Sequence, residues 1–163
     1  MKADTNDSEA PAHGQQVVVV CGIINRVRDG RMEVLLPQRA STKRFMPMVF
    51  ELPGGHVDFG EALTEALKRE VLEELDLEIK VGRLVDAFDY LNEVKGSHSV
   101  ELIYEAHLLR EDDEPKLNPG DHVTYKWLSV DTLSEMLVGG KTSADEEYQV
   151  VLDFLTQRVV DSI

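Results

Sequence analysis

The chain of 163 residues predicts one domain of the α/β class, of α+β type: an α/β/α sandwich around a central mixed β-sheet. Three observations predict it. The hydrophobic patterns run strands, one strong helix, strands, then a short and a long helix. No Gly-x-Gly-x-x-Gly is present, and strands do not alternate strictly with helices, so a doubly wound dinucleotide fold is excluded. With 42% hydrophobic and 29% charged residues, the composition supports a core without disulfides or a structural metal.

The elements follow in order. Residues 1–14 are polar, carry Asp4, Asp7 and Glu9, and are expected to form a flexible acidic tail before a domain spanning 15–163. Gln16 to Ile24 and Met32 to Pro37 read as strands around the turn signal Arg28-Asp29-Gly30-Arg31, hence a hairpin. The β-branched run Val17–Val20 reads as buried strand, and Cys21 beside it as a buried small residue. Ser41 to Met48 is a loop with basic residues. The apolar segment Val49–Leu52 then meets Pro53-Gly54-Gly55, where two glycines end a strand and allow a sharp turn or a close backbone approach. His56 is expected as a solvated loop histidine.

Glu61 to about Leu75 is the clearest helix, rich in Ala, Leu, Glu, Lys and Arg. Leu77 to Tyr90 reads as one or two strands with a bulge or turn at Gly82. Ser99 to Leu109 is a long strand after the Lys95-Gly96-Ser97 turn. An acidic, proline-containing loop leads to the strand Val123–Leu128. A short helix over Val130–Leu137 ends at Gly139-Gly140. Ser143 and Glu146 have capping-box spacing before a final helix through Tyr148, Val151, Leu152, Leu155 and Val159.

Composition narrows the function. A formal net charge of −14 argues against non-specific nucleic-acid binding, which needs a basic footprint. It leaves an anionic small molecule open, because a local cation site can invert the field. No apolar run approaches the ~18 residues of a membrane span. The start of the chain has no signal-peptide core. One cysteine excludes an internal disulfide framework and fits a reducing cytosol, so a cytoplasmic location is expected.

The strong helix does not behave like a surface helix. At ~100° per residue, Leu63, Ala66, Leu67, Val71 and Leu75 define its apolar face. Glu70 and Glu74 fall inside that face and Glu73 at its edge. The three acids also repel one another at i,i+3 and i,i+4 spacing. A hard divalent cation relieves such a cluster, and so does proton uptake by one glutamate. The plain alternative is an apolar face that ends near Leu67, with the acids meeting water.

Gly55, five residues, Glu61, seven residues, then Arg69-Glu70-Val71-Leu72-Glu73-Glu74-Leu75-Asp76-Leu77 resembles the Nudix box, Gly-x5-Glu-x7-Arg-Glu-U-x-Glu-Glu-x-Gly-U with U aliphatic. The one departure is Asp76 in place of the last glycine. Aspartate tolerates the left-handed conformation better than most residues, so the turn is expected to survive. Leu52-Pro53-Gly54-Gly55 and Tyr125-Lys126-Trp127-Leu128-Ser129 also look like the family's entry to the box and its late strand.

The resemblance implies a hydrolase of the MutT-like Nudix family, with a Nudix-like sandwich. It implies that Glu70, Glu73 and Glu74, with the carbonyl of Gly54 or Gly55, hold Mg²⁺, with Mn²⁺ as a substitute. Glu61 and Arg69 would support them, Arg69 by orienting a carboxylate; a helix-surface pairing of Arg69 with Glu65 or Glu73 fits the spacing equally. The reaction implied is attack of water on phosphorus, splitting a diphosphate bond in a nucleoside diphosphate linked to another moiety, including ordinary or oxidised (d)NTPs. Candidates for the general base are Glu70, Glu101 and Glu105, in that order, the last two also reading as ordinary strand residues. Arg39, Lys43 and Arg44 precede the box and are candidates for substrate contact, as are several aromatics for base stacking. The expected partner is a small nucleotide derivative, with no membrane and no nucleic acid, and with homodimerisation open. Two competing readings are a catalytically silent nucleotide-sensing domain of the same family and an isomerase of prenyl diphosphates.

Overall fold

The computed structural model describes residues 11–161, with side chains through residue 157. The elements are β1 (Gln16–Arg28), β2 (Arg31–Arg39), β3 (Gly54–His56), α1 (Leu63–Leu75), β4 (Ile79–Asn92), β5 (Ser97–Leu108), β6 (His122–Leu128), a 3₁₀ turn (Leu133–Met136) and α2 (Glu146–Asp161). The sheet order is β4-β5-β1-β2-β6, with β3 also paired to β1. β1 and β5 are parallel and the other pairings antiparallel, so the sheet is mixed as expected.

Alternation along β1 builds the two layers. Val19, Cys21 and Ile23 face α2 and the 3₁₀ turn, packing with Val151, Phe154, Leu155 and Met136. Val20 and Ile24 face the other way, onto Ala66, Leu67, Val71 and Leu75 of α1. Those four α1 side chains are fully buried, each larger one contributing about 1.5–3 kcal/mol. Of the β-branched run only Val19 and Val20 are buried; Val17 is half-buried and Val18 is 38% exposed. Among the described residues no helix is long and apolar enough to cross a membrane.

α1 starts two residues later than expected. Its N-cap, Ala62, has no side chain able to cap the helix, and the Glu61 carboxylate before it is engaged by Arg69 and by the Asp58 N–H. The C-terminus ends on Asp76, left-handed at φ 54° and ψ 39°, whose N–H donates to the Leu72 carbonyl. The box turn therefore survives without its glycine. The loop beyond β5 donates the Lys116 and Asn118 N–H groups to the Leu75 and Glu74 carbonyls, satisfying the helix end.

Four local expectations change. Pro53-Gly54-Gly55 does not end a strand: Gly54–His56 is itself a strand, Cys21 pairing with Gly54 and Val19 with His56. That pairing buries His56, which is 6% exposed rather than a solvated loop residue. Residues 130–137 form only a 3₁₀ turn. The cap of α2 is Asp145, whose Oδ1 accepts the Tyr148 N–H at 2.9 Å, and not Ser143. The bulge near Gly82 is present, as a register shift between Val81 and Leu84. Of the expected tail, residues 1–10 lie outside the described residues. Ala12 is buried, and the N–H groups of Ala12 and Gly14 donate to the Lys95 and Gly96 carbonyls.

Candidate active site

Two glycines set the site. A Cβ on Gly54 would lie 2.0 Å from the Val20 carbonyl oxygen, so only glycine permits β3 to sit this close to β1. A Cβ on Gly55 would lie 2.5 Å from the Glu70 carboxylate, so the bare backbone there is what admits that side chain. The Gly54 N–H also donates to Glu74 Oε2 at 3.3 Å. Strand β3 and helix α1 thus meet through two carboxylates rather than through apolar packing.

Arg69 organises the acid row. Its guanidinium donates to Glu61 at 2.7 and 2.9 Å, to Glu70 Oε1 at 3.0 Å, to Glu73 Oε2 at 3.3 Å and to the His56 carbonyl at 3.0 Å. Glu65 pairs with Lys68 instead, so Arg69 acts on the box carboxylates. The Arg69 hydrogen bonds hold Glu61 below the ordinary carboxylate range. Burial pushes Glu70 the other way, up to about 7, with Arg69 opposing the rise. Glu74 is pushed well up by burial and by the charges of Glu51, Glu70 and Asp121. Glu73 is exposed at the rim.

A cleft opens beside this row, lined by Gly54, Gly55 and Glu74 at one end. On its wall Arg39 lies 3.4 Å from Glu51, and His122 Nε2 is 2.9 Å from the same carboxylate. Burial raises Glu51, but Arg39 and the His122 hydrogen bond outweigh it and hold the carboxyl below its ordinary range. Lys43 lines the cleft and pairs with Asp121 at 3.2 Å. At the other end stand Glu101 of β5 and Glu147 of α2. The Cys21 thiol donates to Glu101 Oε1 at 3.4 Å, and burial followed by the Glu101 charge pushes that thiol far up, so Cys21 is no nucleophile.

Of the residues singled out from sequence, Glu61, Arg69, Glu70, Glu73, Glu74 and Gly54 come together around α1 and β3. Arg39 and Glu101 line the same cleft. Arg44 is exposed and does not line it. Glu105 points to the far end of β5, 3.4 Å from Arg83 and 3.6 Å from His107, outside the cleft. Among the aromatics, Phe45 and Tyr90 line the cleft, Phe50 is core, Phe59 is exposed, and Trp127 lies under Arg26 on the other side of the sheet. Glu51, His122, Lys141 and Glu147 were missed. Glu147 carried a signal: it stands at i−3 and i−4 from Val150 and Val151, an acid on the apolar face of α2, as Glu70 and Glu74 are on α1.

The donor set fits a hard divalent cation. Glu70, Glu73 and Glu74 offer carboxylate oxygens on one helix side, beside a glycine backbone with room for no Cβ. Two of these carboxyls are driven toward protonation where no cation offsets them.

The NUDIX domain matches residues 15–149. The chain belongs to the Nudix hydrolase family. An uncharacterized Nudix hydrolase of Nostoc sp. is 31% identical over 120 residues, 73% of this chain and 69% of that protein. A Nudix hydrolase of Deinococcus radiodurans is 28% identical over 128 residues, 77% of this chain and 72% of that protein. The crystal structure of the MutT Nudix hydrolase of Burkholderia pseudomallei superposes with a TM-score of 0.65 at 28% identity, covering 85% of this chain and 97% of that one. This Nudix protein is therefore a hydrolase of pyrophosphate bonds, from a family that acts on small nucleotide derivatives and generally uses divalent cations.

Proposed function

We propose that this Nudix hydrolase splits the diphosphate bond of a nucleoside diphosphate linked to another moiety, ordinary and oxidised (d)NTPs included, with Mg²⁺ as its cation and Mn²⁺ as a substitute. One observation carries the reading: Glu70 and Glu74 are held against Gly54 and Gly55 with more negative charge than the neighbouring side chains offset. Glu70, Glu73, Glu74 and the Gly54 backbone would hold the cation. When bound, it offsets charge on the diphosphate oxygens and at the leaving group.

The chain's own residues do the rest. Arg69 fixes the Glu70 and Glu73 carboxylates against Glu61 and the His56 carbonyl, so the acids cannot swing apart. Glu70 is the first candidate to take the proton from the attacking water, since it is oriented and shielded; Glu101, which lines the cleft beside the acid row, is the second. Glu105 drops out on its position. Arg39 and Lys43 supply cationic side chains on the cleft wall for the remaining phosphate. Arg44 would contact only a substrate group that projects out of the cleft. We further infer a cytoplasmic enzyme, with a homodimer to be checked by light scattering.

The test is phosphate release from a panel of dNTPs, oxidised dGTP, ADP-ribose, dinucleoside polyphosphates and coenzyme A, with and without Mg²⁺, beside Glu74→Gln. Turnover that needs Mg²⁺ and is lost in Glu74→Gln supports the proposal. Tight binding of one nucleotide without turnover of any would replace it with the silent sensing domain.

A further inference from the structure

At the end of the cleft opposite the box glycines, three side chains able to ligate a metal converge from three elements. Cys21 comes from β1, Glu101 from β5 and Glu147 from α2, and one ligand atom of each lies within 4.8 Å of the other two. The spacing suits a small dication. With sulfur at about 2.3 Å and oxygen at about 2.0–2.2 Å from a tetrahedral zinc, a sulfur and an oxygen ligand stand roughly 3.6 Å apart. Cys21 Sγ and Glu101 Oε1 are 3.4 Å apart. Glu147 is held in place from behind: its Oε1 accepts the Leu52 N–H at 2.7 Å and lies 3.6 Å from Lys141 Nζ. Outer partners of this kind orient a ligating carboxylate.

The cluster is short of positive charge. Glu101 is only 5% exposed, and its Oε2 meets no donor. Such a buried polar atom is costly and points to a group that completes it. The carboxyl at hydrogen-bonding range of Glu101 is that of Glu147, another acceptor, so a proton or a cation has to lie between the two. Lys141, the cation beside Glu147, is shared with Asp145 at 3.4 Å and the Phe50 carbonyl at 2.9 Å. A thiolate and two carboxylates together carry three negative charges, which one dication and Lys141 cancel.

The donor set also chooses the ion. A thiolate selects zinc over magnesium, and zinc accepts carboxylate oxygens beside sulfur. Three protein ligands leave a fourth position for water. The Glu147 side chain stays 12% exposed, which gives an ion its way in from the cleft.

We propose that Cys21, Glu101 and Glu147 form a second metal site, apart from the box carboxylates, that takes Zn²⁺. Binding releases the thiol proton of Cys21 and the proton held between the two carboxyls to solvent. It ties β1, β5 and α2 together at one point. It also removes Glu101 from the choice of general base and leaves Glu70. The site stands on its own residues and does not depend on the diphosphate reading above.

The test is binding of Co²⁺ and Zn²⁺ to the metal-free full chain in excess Mg²⁺, which keeps the box carboxylates occupied. Co²⁺ should raise a thiolate-to-cobalt charge-transfer band in the near ultraviolet, and Zn²⁺ should bleach it. Zinc-edge X-ray absorption should show one sulfur at about 2.3 Å. Cys21 is the only cysteine of the chain, so a thiolate band is its own. Cys21→Ser, first checked for a cooperative melt, should lose the band. Glu101→Gln and Glu147→Gln should weaken the affinity about tenfold or more, and Glu74→Gln should leave it unchanged. Zinc held by other histidines and carboxylates gives no sulfur signal, and that result in the wild type overturns the proposal. So does a band that ignores both Glu101→Gln and Glu147→Gln, or one that is lost with Glu74→Gln. The wild-type spectrum decides by itself whether sulfur binds, so a variant that fails to fold does not shelter the proposal. Turnover is not read here: an inactive chain with the sulfur signal keeps this proposal, and an active chain without it loses it.

Discussion

Replacing Glu70 by glutamine should stabilise the metal-free protein, and only above mildly acidic pH. Burial moves the Glu70 carboxyl from an ordinary 4.5 to about 7 in the folded state, against the pull of Arg69. The folded protein then binds a proton that the unfolded chain has released, so between these two values stability falls as pH rises. At ~1.4 kcal/mol per tenfold change in proton affinity, the full penalty is on the order of 3 kcal/mol and is complete above pH 7. Glutamine has the shape of the protonated acid and never ionises. Thermal melts of metal-free wild type and Glu70→Gln should therefore coincide near pH 4.5 and separate toward pH 8. The variant should then melt higher by up to roughly 6–12 °C, at ~2–4 °C per kcal/mol for a chain of this size. Mg²⁺ takes the place of the proton, so it should raise the wild-type Tm more at pH 8 than at pH 6, and raise that of Glu70→Gln far less. Equal or lower stability of the variant at pH 8, or a Mg²⁺ effect independent of pH, would refute the reasoning.

Two further outcomes follow from the geometry. Arg69→Lys keeps the charge but not the fork that spans Glu61, Glu70, Glu73 and the His56 carbonyl. It should lower kcat by about 10²-fold in a steady-state assay at saturating Mg²⁺, with the fold intact by circular dichroism. Asp76→Gly should raise the Tm by a few degrees, because a non-glycine residue at φ 54° costs roughly 1–2 kcal/mol of which the Lys116 contact at 3.7 Å, between exposed groups, returns little. An unchanged or lowered Tm would show that the aspartate side chain stabilises this turn.

The acid row was legible because helix geometry is local. Once 61–75 is read as a helix, the angular positions of Glu70 and Glu74 follow from their spacing to Leu67, Val71 and Leu75. Glu70 keeps its place on the buried face, and Glu74 is half-buried beside it. The β1–β2 hairpin was legible for the same reason, its turn residues and alternating apolar positions lying within one short stretch. His56 was misread because a Pro-Gly-Gly signal reports what the backbone permits locally. It does not report that β1 has an open edge at Val19–Cys21 on which those residues pair. The helix over 130–137 shrank to one 3₁₀ turn because packing of Leu133 and Met136 into the α2 layer, rather than propensity, sets its length.

The sequence alone therefore determined the class of fold, from the order of its elements, and the helix with its carboxylates and the cation chemistry they imply, from residues within about four positions of one another. Tertiary structure decided the rest of the cleft. The parallel β1–β5 pairing places Glu101 opposite Val19 and within reach of Cys21, across 80 residues of chain. The packing of α2 brings Glu147 to the Leu52 N–H across 95. The same strand sends Glu105, four residues beyond Glu101, out to Arg83 and His107. Two acids with the same local pattern on one strand thus have different fates. What separates them is the cover each meets, aromatic walls and α2 at one end of β5 and solvent-facing partners at the other, and cover is a property of the assembled layers.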